Sequence, residues 1–162
     1  MLARLFNPAR ILKGFVRSER GTQLVELAIV LPVVLMLLGA SAEFGRFFYT
    51  YQTLSKATRA GARYLTIESA TGAADARAKN LVVYGNQSGT GAPVVAGLSG
   101  GNVRVVRAGG TSAFPERVTV RIEGYTYQPV FDLGKLVGKP GLSLRVPVSP
   151  STTMRHFSSN PS

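Results

Sequence analysis

The chain contains no cysteine. Disulfides and thiolate-based metal sites are therefore excluded, and thiol redox chemistry with them, although the absence fixes no compartment. Acidic residues are scarce, eight against nineteen lysines and arginines, giving a formal net charge of +11. Histidine occurs once, at His156; it has no partner cluster and reads as a surface residue of the tail rather than a metal ligand. A length of 162 residues leaves room for one modest domain, or for a membrane segment plus a smaller one. A large enzyme is out of reach.

What is present is unevenly spread. Arg4, Arg10, Lys13, Arg17 and Arg20 crowd the first twenty positions against one acid, Glu19. From Leu24 to Ala42 the sequence reads LVELAIVLPVVLMLLGASA, with Glu26 its only charge. Roughly twenty apolar residues in a helix cross a ~30 Å hydrocarbon core, and this run has that length. Positive charge clustered on its N-terminal side predicts a cytoplasmic leader over 1–21, a single inner-membrane span over 22–42, and everything beyond on the far side of the membrane lipid. Pro32 removes one backbone donor and predicts a helix kink about a turn and a half past Glu26.

Phe44, Phe48, Tyr51, Leu54 and Thr58 recur at three- and four-residue steps, so the helix is expected to continue as an amphipathic stalk over 43–66. From Thr22 to Tyr64 it would measure roughly 65 Å at ~1.5 Å per residue. A second, short helix is expected over Gly72 to Tyr84 on composition. Residues 85–101 read as a glycine-rich loop of variable conformation, broken by a short strand at Val94 and Val95. Alternating apolar and polar residues predict strands at Asn102 to Ala108, Glu116 to Tyr127 and Leu142 to Val148. The expected fold class is α+β: a long membrane-spanning helix continuing into an extracytoplasmic stalk, packed on a small antiparallel sheet within the region 67–162.

One short string at the edge of the apolar run carries chemistry. In Arg20-Gly21-Thr22-Gln23-Leu24-Val25-Glu26, a cut after Gly21 would put Glu26 at the fifth position of a new amino terminus beginning at Thr22. Type IV prepilin peptidases cut after such a glycine at the cytoplasmic edge of the membrane. A carboxylate in a membrane helix costs about 2–3 kcal/mol at the bilayer centre and less near the interface, so it needs a partner or a shallow position.

The segments VELAIVLPVVLMLL, EFGRFFYTYQTL and KATRAGARY resemble TadE-like proteins, the minor pseudopilins of the tight-adherence (Flp) pilus assembly system. The matching residues are Val25, Glu26, Leu31 and Pro32, then Glu43, Phe44, Gly45 and Arg46, then Ala57, Arg59, Gly61, Ala62, Arg63 and Tyr64. Leu27 stands where an aromatic is usual, and Ala60 where an acid is frequent. The resemblance implies processing by a prepilin peptidase and a structural role beside other pilins, pseudopilins and pilus assembly proteins, with no catalysis and no cofactor. Association would then run along Phe44, Phe48, Tyr51 and Leu54, with Ala57, Ala60 and Gly61 allowing close backbone approach.

Rival readings rest on thinner patterns. Ala40-Ser41-Ala42 fits a signal peptidase site, which would make the apolar run a removable signal, and the alternative function is a generic single-pass membrane-anchored, or signal-peptide-processed, extracytoplasmic binding module. Gly97-Leu98-Ser99-Gly100-Gly101 matches G-x-S-x-G with Asp132 and His156 downstream, but Ser99 falls in a loop that leads to another strand instead of a helix. Gly89-Thr90-Gly91 lacks a third glycine and no G-K-[ST] follows, so no small-molecule phosphate substrate is expected. Arg104, Arg107, Arg117 and Arg121 read as the wet face of the sheet rather than a nucleic-acid surface, and Arg59 and Arg63 as a solvated helix face or contacts to acidic partners.

Overall fold

The computed structural model describes residues 19–111 and 115–157. Of the leader expected over 1–21, residues 1–18 lie outside the described part. The chain divides into two compact units, Met1–Ala42 and Glu43–Ser162. A single helix, α1, Glu19–Leu65, contributes to both and is continuous through Pro32. Its sequence is dominated by leucine, alanine and other straight-chain residues, which lose little side-chain freedom in a helix.

In the first unit the described residues are helix alone. Its apolar side chains point outward in every direction, Leu24, Ile29, Leu35 and Leu38 among them, and none of its most apolar stretch is buried. This one helix is long and apolar enough to cross a membrane.

The second unit is an α+β layer. The rest of α1 is followed by α2, Gly72–Tyr84, which opens on Thr71, whose side chain accepts a hydrogen bond from the Ala74 amide. Such a cap satisfies one of the helix's orphan donors. Three antiparallel strands follow in the order β1, Val103–Gly110, β2, Pro115–Ile122, and β3, Ser151–Arg155. Between β2 and β3 lie a single helical turn, α3, Leu133–Leu136, and a 3₁₀ turn, Pro140–Leu142. The pairing Val103 with Ile122, Val105 with Val120, Val118 with Met154 and Val120 with Thr152 sets one face of the sheet inward. That face meets Leu54, Ala62 and Leu65 of α1 and Ala78, Val82 and Val83 of α2 in one core.

Gly61 marks a close approach between the layers. A Cβ there would stand 2.6 Å from Val82 Cγ2, so a side chain would collide with α2, while Val120 Cγ1 of β2 at 3.6 Å would be in ordinary contact. Nearby, the hydroxyls of Thr58 and Thr152 meet at 3.1 Å and tie α1 to β3.

The sheet corrects the sequence reading in three places. Residues 142–148 are not the third strand; Ser151–Arg155 is. Pro147 and Pro150 lack the N–H that a ladder needs, and the run makes only a bridge, with Tyr127 N–H donating to Val146 O and Val148 N–H to Tyr125 O. The strand expected over Glu116 to Tyr127 stops at Ile122, because Gly124 turns the chain at φ +67°, a conformation glycine adopts without strain. Val94 and Val95 form no strand. The loop around them is tied by Asn86, whose Oδ1 accepts from Ser88 Oγ and the amides of Gly89 and Thr90 while Nδ2 donates to Tyr84 O and Thr90 O.

Candidate functional site

The most developed polar site in the described chain is at Glu43, the first residue past the apolar run. A carboxylate so nearly sealed from water needs donors, and Glu43 has them. Tyr127 Oη donates to Oε1 at 2.5 Å, the Val130 amide to Oε1 at 3.2 Å and the Phe131 amide to Oε2 at 2.9 Å. Arg46, one turn on, stands 3.9 Å from Oε2 with its own side chain half in water. Phe47 packs edge-on against the Tyr127 ring at 5.3 Å and closes the site from the helix side.

The electrostatics follow from these contacts. Burial alone pushes the Glu43 carboxyl up, but the hydrogen bonds from Tyr127, Phe131 and Val130 and the charge of Arg46 outweigh it, leaving the group below its ordinary value. Tyr127 is driven the other way: burial, then its bond to Glu43 and the charge there, push the phenol up to about 12. At neutral pH the pair is thus a carboxylate held by a neutral phenol and two amides. What it does is fasten the segment 127–131 to α1.

The residues singled out from sequence separate into distinct places. Gly21, Thr22, Glu26 and Pro32 follow one another along α1 in the first unit, with Glu26 exposed. Gly21 lies in the opening turn of the helix, which begins at Glu19. Of the face written as Phe44, Phe48, Tyr51, Leu54, Ala57 and Gly61, the last three turn into the domain core or its margin, whereas Phe44, Phe48 and Tyr51 are 48%, 57% and 46% exposed. The inward face instead runs Glu43, Phe47, Leu54, Thr58, Gly61, Leu65. Sequence reading named Glu43 within the family motif but did not set it or Phe47 on the inward face, because a charge at the head of the stripe shifted the apolar pattern to Phe44. The signal available was the helical spacing of Glu43, Phe47 and Leu54.

Residues 21–63 match the family model described as TadE-like protein. This segment resembles TadE-like proteins. It covers about a quarter of the chain and contains two of the three acids of α1, Glu26 and Glu43. The curated proteins and the solved structures give no match. A TadE-like segment is associated with membrane proteins of the Tad pilus, and a single apolar helix near the N-terminus fits a single-pass anchor.

The rival constellations are not assembled among the described residues. The Ser99 hydroxyl donates to Asn102 Oδ1 at the head of a 3₁₀ turn, Asp132 accepts from Ser143 Oγ, and His156 Nε2 lies 3.0 Å from Glu68 O, so the three engage different neighbours. His156 is also half-buried rather than on the surface, its backbone amide bonded to Glu116 O. Of the four arginines on the expected wet face, Arg107 is on the inner side, bonded through both terminal nitrogens to Asp75 of α2, and Arg104 and Arg121 share Glu123. No group of three or more potential metal ligands occurs among the described residues.

Proposed function

We propose that the chain is a membrane-anchored pseudopilin acting as a structural and assembly component of a tight-adherence type IVb pilus system. In this reading residues 1–21 are a cytoplasmic leader removed by a prepilin peptidase, 22–42 span the inner membrane, 43–66 are the stalk, and the region 67–162 makes contacts outside the cytoplasm. The observation that carries it is the register of α1: the TadE-like segment opens at Gly21, and Glu26 lies five residues on along an unbroken helix. After cleavage Glu26 would be one helical turn from the freed amino group of Thr22, within reach of a neighbouring subunit's terminus. The opening turn is the part of a helix that unwinds most readily, which gives a peptidase its extended substrate. Phe44, Phe48 and Tyr51, left uncovered by the domain, supply apolar surface for partner subunits.

Mass spectrometry of the chain co-expressed with a type IV prepilin peptidase tests this. The expected mature terminus is Thr22, with Gly21→Ala left uncut and Glu26→Ala cut but deficient in association with other pilin-like subunits. A terminus at Glu43 would overturn the reading in favour of signal peptidase, and an uncut wild-type chain would reduce it to a signal-anchor.

A further inference from the structure

The segment that Glu43 holds continues into a small lobe whose surface chemistry is unusual for a loop facing water. Residues 130–143 are closed on themselves: the Lys139 amide donates to Gly134 O at 2.8 Å and the Ser143 hydroxyl to Asp132 Oδ2 at 2.9 Å. Gly134 is so enclosed that a Cβ would meet Ser143 N at 2.7 Å. The lobe's one acid, Asp132, is thereby engaged by the lobe's own donors. What remains outward is apolar and cationic: Val130 is 77% exposed and Leu136 61%, with Val137 and Leu142 also uncovered, beside exposed Lys135 and Lys139. A cleft of about 480 Å³ between Lys135 and Arg145 opens on the same lobe.

Two observations say what covers this surface. Glu43 is one residue past Ala42, the last residue of the apolar run, and its carboxylate binds the amides of Val130 and Phe131 directly. A segment so held is tied to the first residue after the apolar run, and the headgroup layer beside a span is itself about 5–8 Å deep on each side. Secondly, the outward charges of the lobe are positive, complementary to lipid phosphates, and lysines flanking apolar side chains are the composition that settles at such an interface.

We infer that the lobe 130–143 is a second, interfacial membrane contact, seated on the lipid headgroups with Val130, Leu136 and Val137 dipping in and Lys135 and Lys139 on the phosphates. This rests on the reading of 22–42 as the span. Its consequence is mechanical: a helix anchored at one point leaves a domain free to tilt, whereas a lobe pinned through Glu43 fixes its tilt against the bilayer.

Because the chain has no cysteine, single substitutions give unique labelling sites. The full chain carrying Leu136→Cys or Leu35→Cys, labelled with nitrobenzoxadiazole, is placed in phosphatidylcholine–phosphatidylglycerol bilayers containing nitroxide lipids. Expected is loss of most emission at Leu35→Cys with the nitroxide deep in the acyl chain, and at Leu136→Cys with the nitroxide at the headgroup. Quenching at 35 without quenching at 136 overturns the lobe contact and leaves the span standing; absence of quenching at 35 overturns the span itself. Lys135→Glu with Lys139→Glu should reduce the quenching at 136 in these bilayers, and unchanged quenching would overturn the phosphate contact. Hydrogen exchange on the unsubstituted chain gives a second measure: amides 133–139 slow in phosphatidylglycerol-containing bilayers relative to pure phosphatidylcholine, and equal rates count against the contact.

Discussion

Two halves of one helix behave as if they belonged to different proteins. Up to Ala42, α1 is apolar all round and buries none of that surface within the chain; from Glu43 on, the same helix has one face sealed into a core and the other in the open. Their acids differ in the same way. Glu26 is exposed on a bare helix, while Glu43 is buried under a tyrosine and two amides. Helical propensity is similar throughout, so the difference comes from side-chain pattern: an all-round apolar surface suits lipid, and a one-sided stripe suits a protein core. The change of pattern falls between Ala42 and Glu43.

Breaking the core should separate the halves most clearly. Leu54 is fully buried, and Leu54→Ala is expected to lower the stability of the outer domain by about 2–5 kcal/mol. Leu35→Ala, made in the bare half, should leave it unchanged. Urea unfolding of the full chain in detergent, followed by tyrosine circular dichroism, measures both; equal losses would mean that the helix unfolds as one unit with the domain.

The two acids offer the next contrast. Glu43→Ala strands the Tyr127 hydroxyl and two amides without an acceptor and should destabilise the domain by about 2–3 kcal/mol, whereas Glu26→Ala should not touch it. The pH dependence has a definite sign. The folded-state pKa of Glu43 is lowered from 4.5, so its contribution is complete above that value and is lost as pH falls through the depressed one. Tyr127 is raised from 10.0 to about 12, so its contribution is complete below pH 10.0 and disappears as pH climbs to about 12. A Glu43→Gln chain should therefore show a flatter acid limb than wild type in stability measured across pH. An unchanged acid limb would remove Glu43 from the account.

How much of this was readable from the residues depends on the range of the interaction. The apolar run, the continuous helix and α2, Gly72–Tyr84, are local patterns of composition and period, and the sequence shows them almost to the residue. The strand pairing is not local. Leu142 to Val148 alternates as a strand should, yet Pro147 and Pro150 leave it without a ladder, and the less patterned Ser151–Arg155 takes the place beside β2. The Glu43 site joins residues 84 to 88 positions apart, and no spacing rule links a helix acid to amides so distant. The signature EFGR marked the place without its partners.

Two glycines on α1 sharpen the comparison at smaller amplitude. Gly61 has no room for a methyl group against Val82, so Gly61→Ala should cost about 1–3 kcal/mol through overpacking. Gly45 has nothing within 4 Å of where its Cβ would be. There Gly45→Ala should stabilise by about 0.5–1 kcal/mol through reduced freedom of the unfolded chain and better helix propensity. Opposite signs in thermal melts of the two variants would confirm that the inward face runs through Gly61 and away from Gly45; equal signs would place that face elsewhere.

The smallest contrast is between two ion pairs at the sheet. Arg107 reaches Asp75 with both terminal nitrogens, the two side chains being 22% and 29% exposed, while Arg104 meets Glu123 with 61% and 42% exposed. Water and salt screen the second pair more than the first. A double-mutant cycle with Arg107→Gln and Asp75→Asn should give a coupling of about 1 kcal/mol, and one with Arg104→Gln and Glu123→Gln less than about 0.5 kcal/mol. The cycle matters because Asp75 also sits in the first turn of α2, where its charge stabilises the helix dipole whether or not Arg107 is present. Only the coupling, and not the single loss at Asp75, reports the link between α2 and β1. High salt should erase the Arg104 coupling first, and a reversal of that order would mean that burial does not set the strength of these pairs.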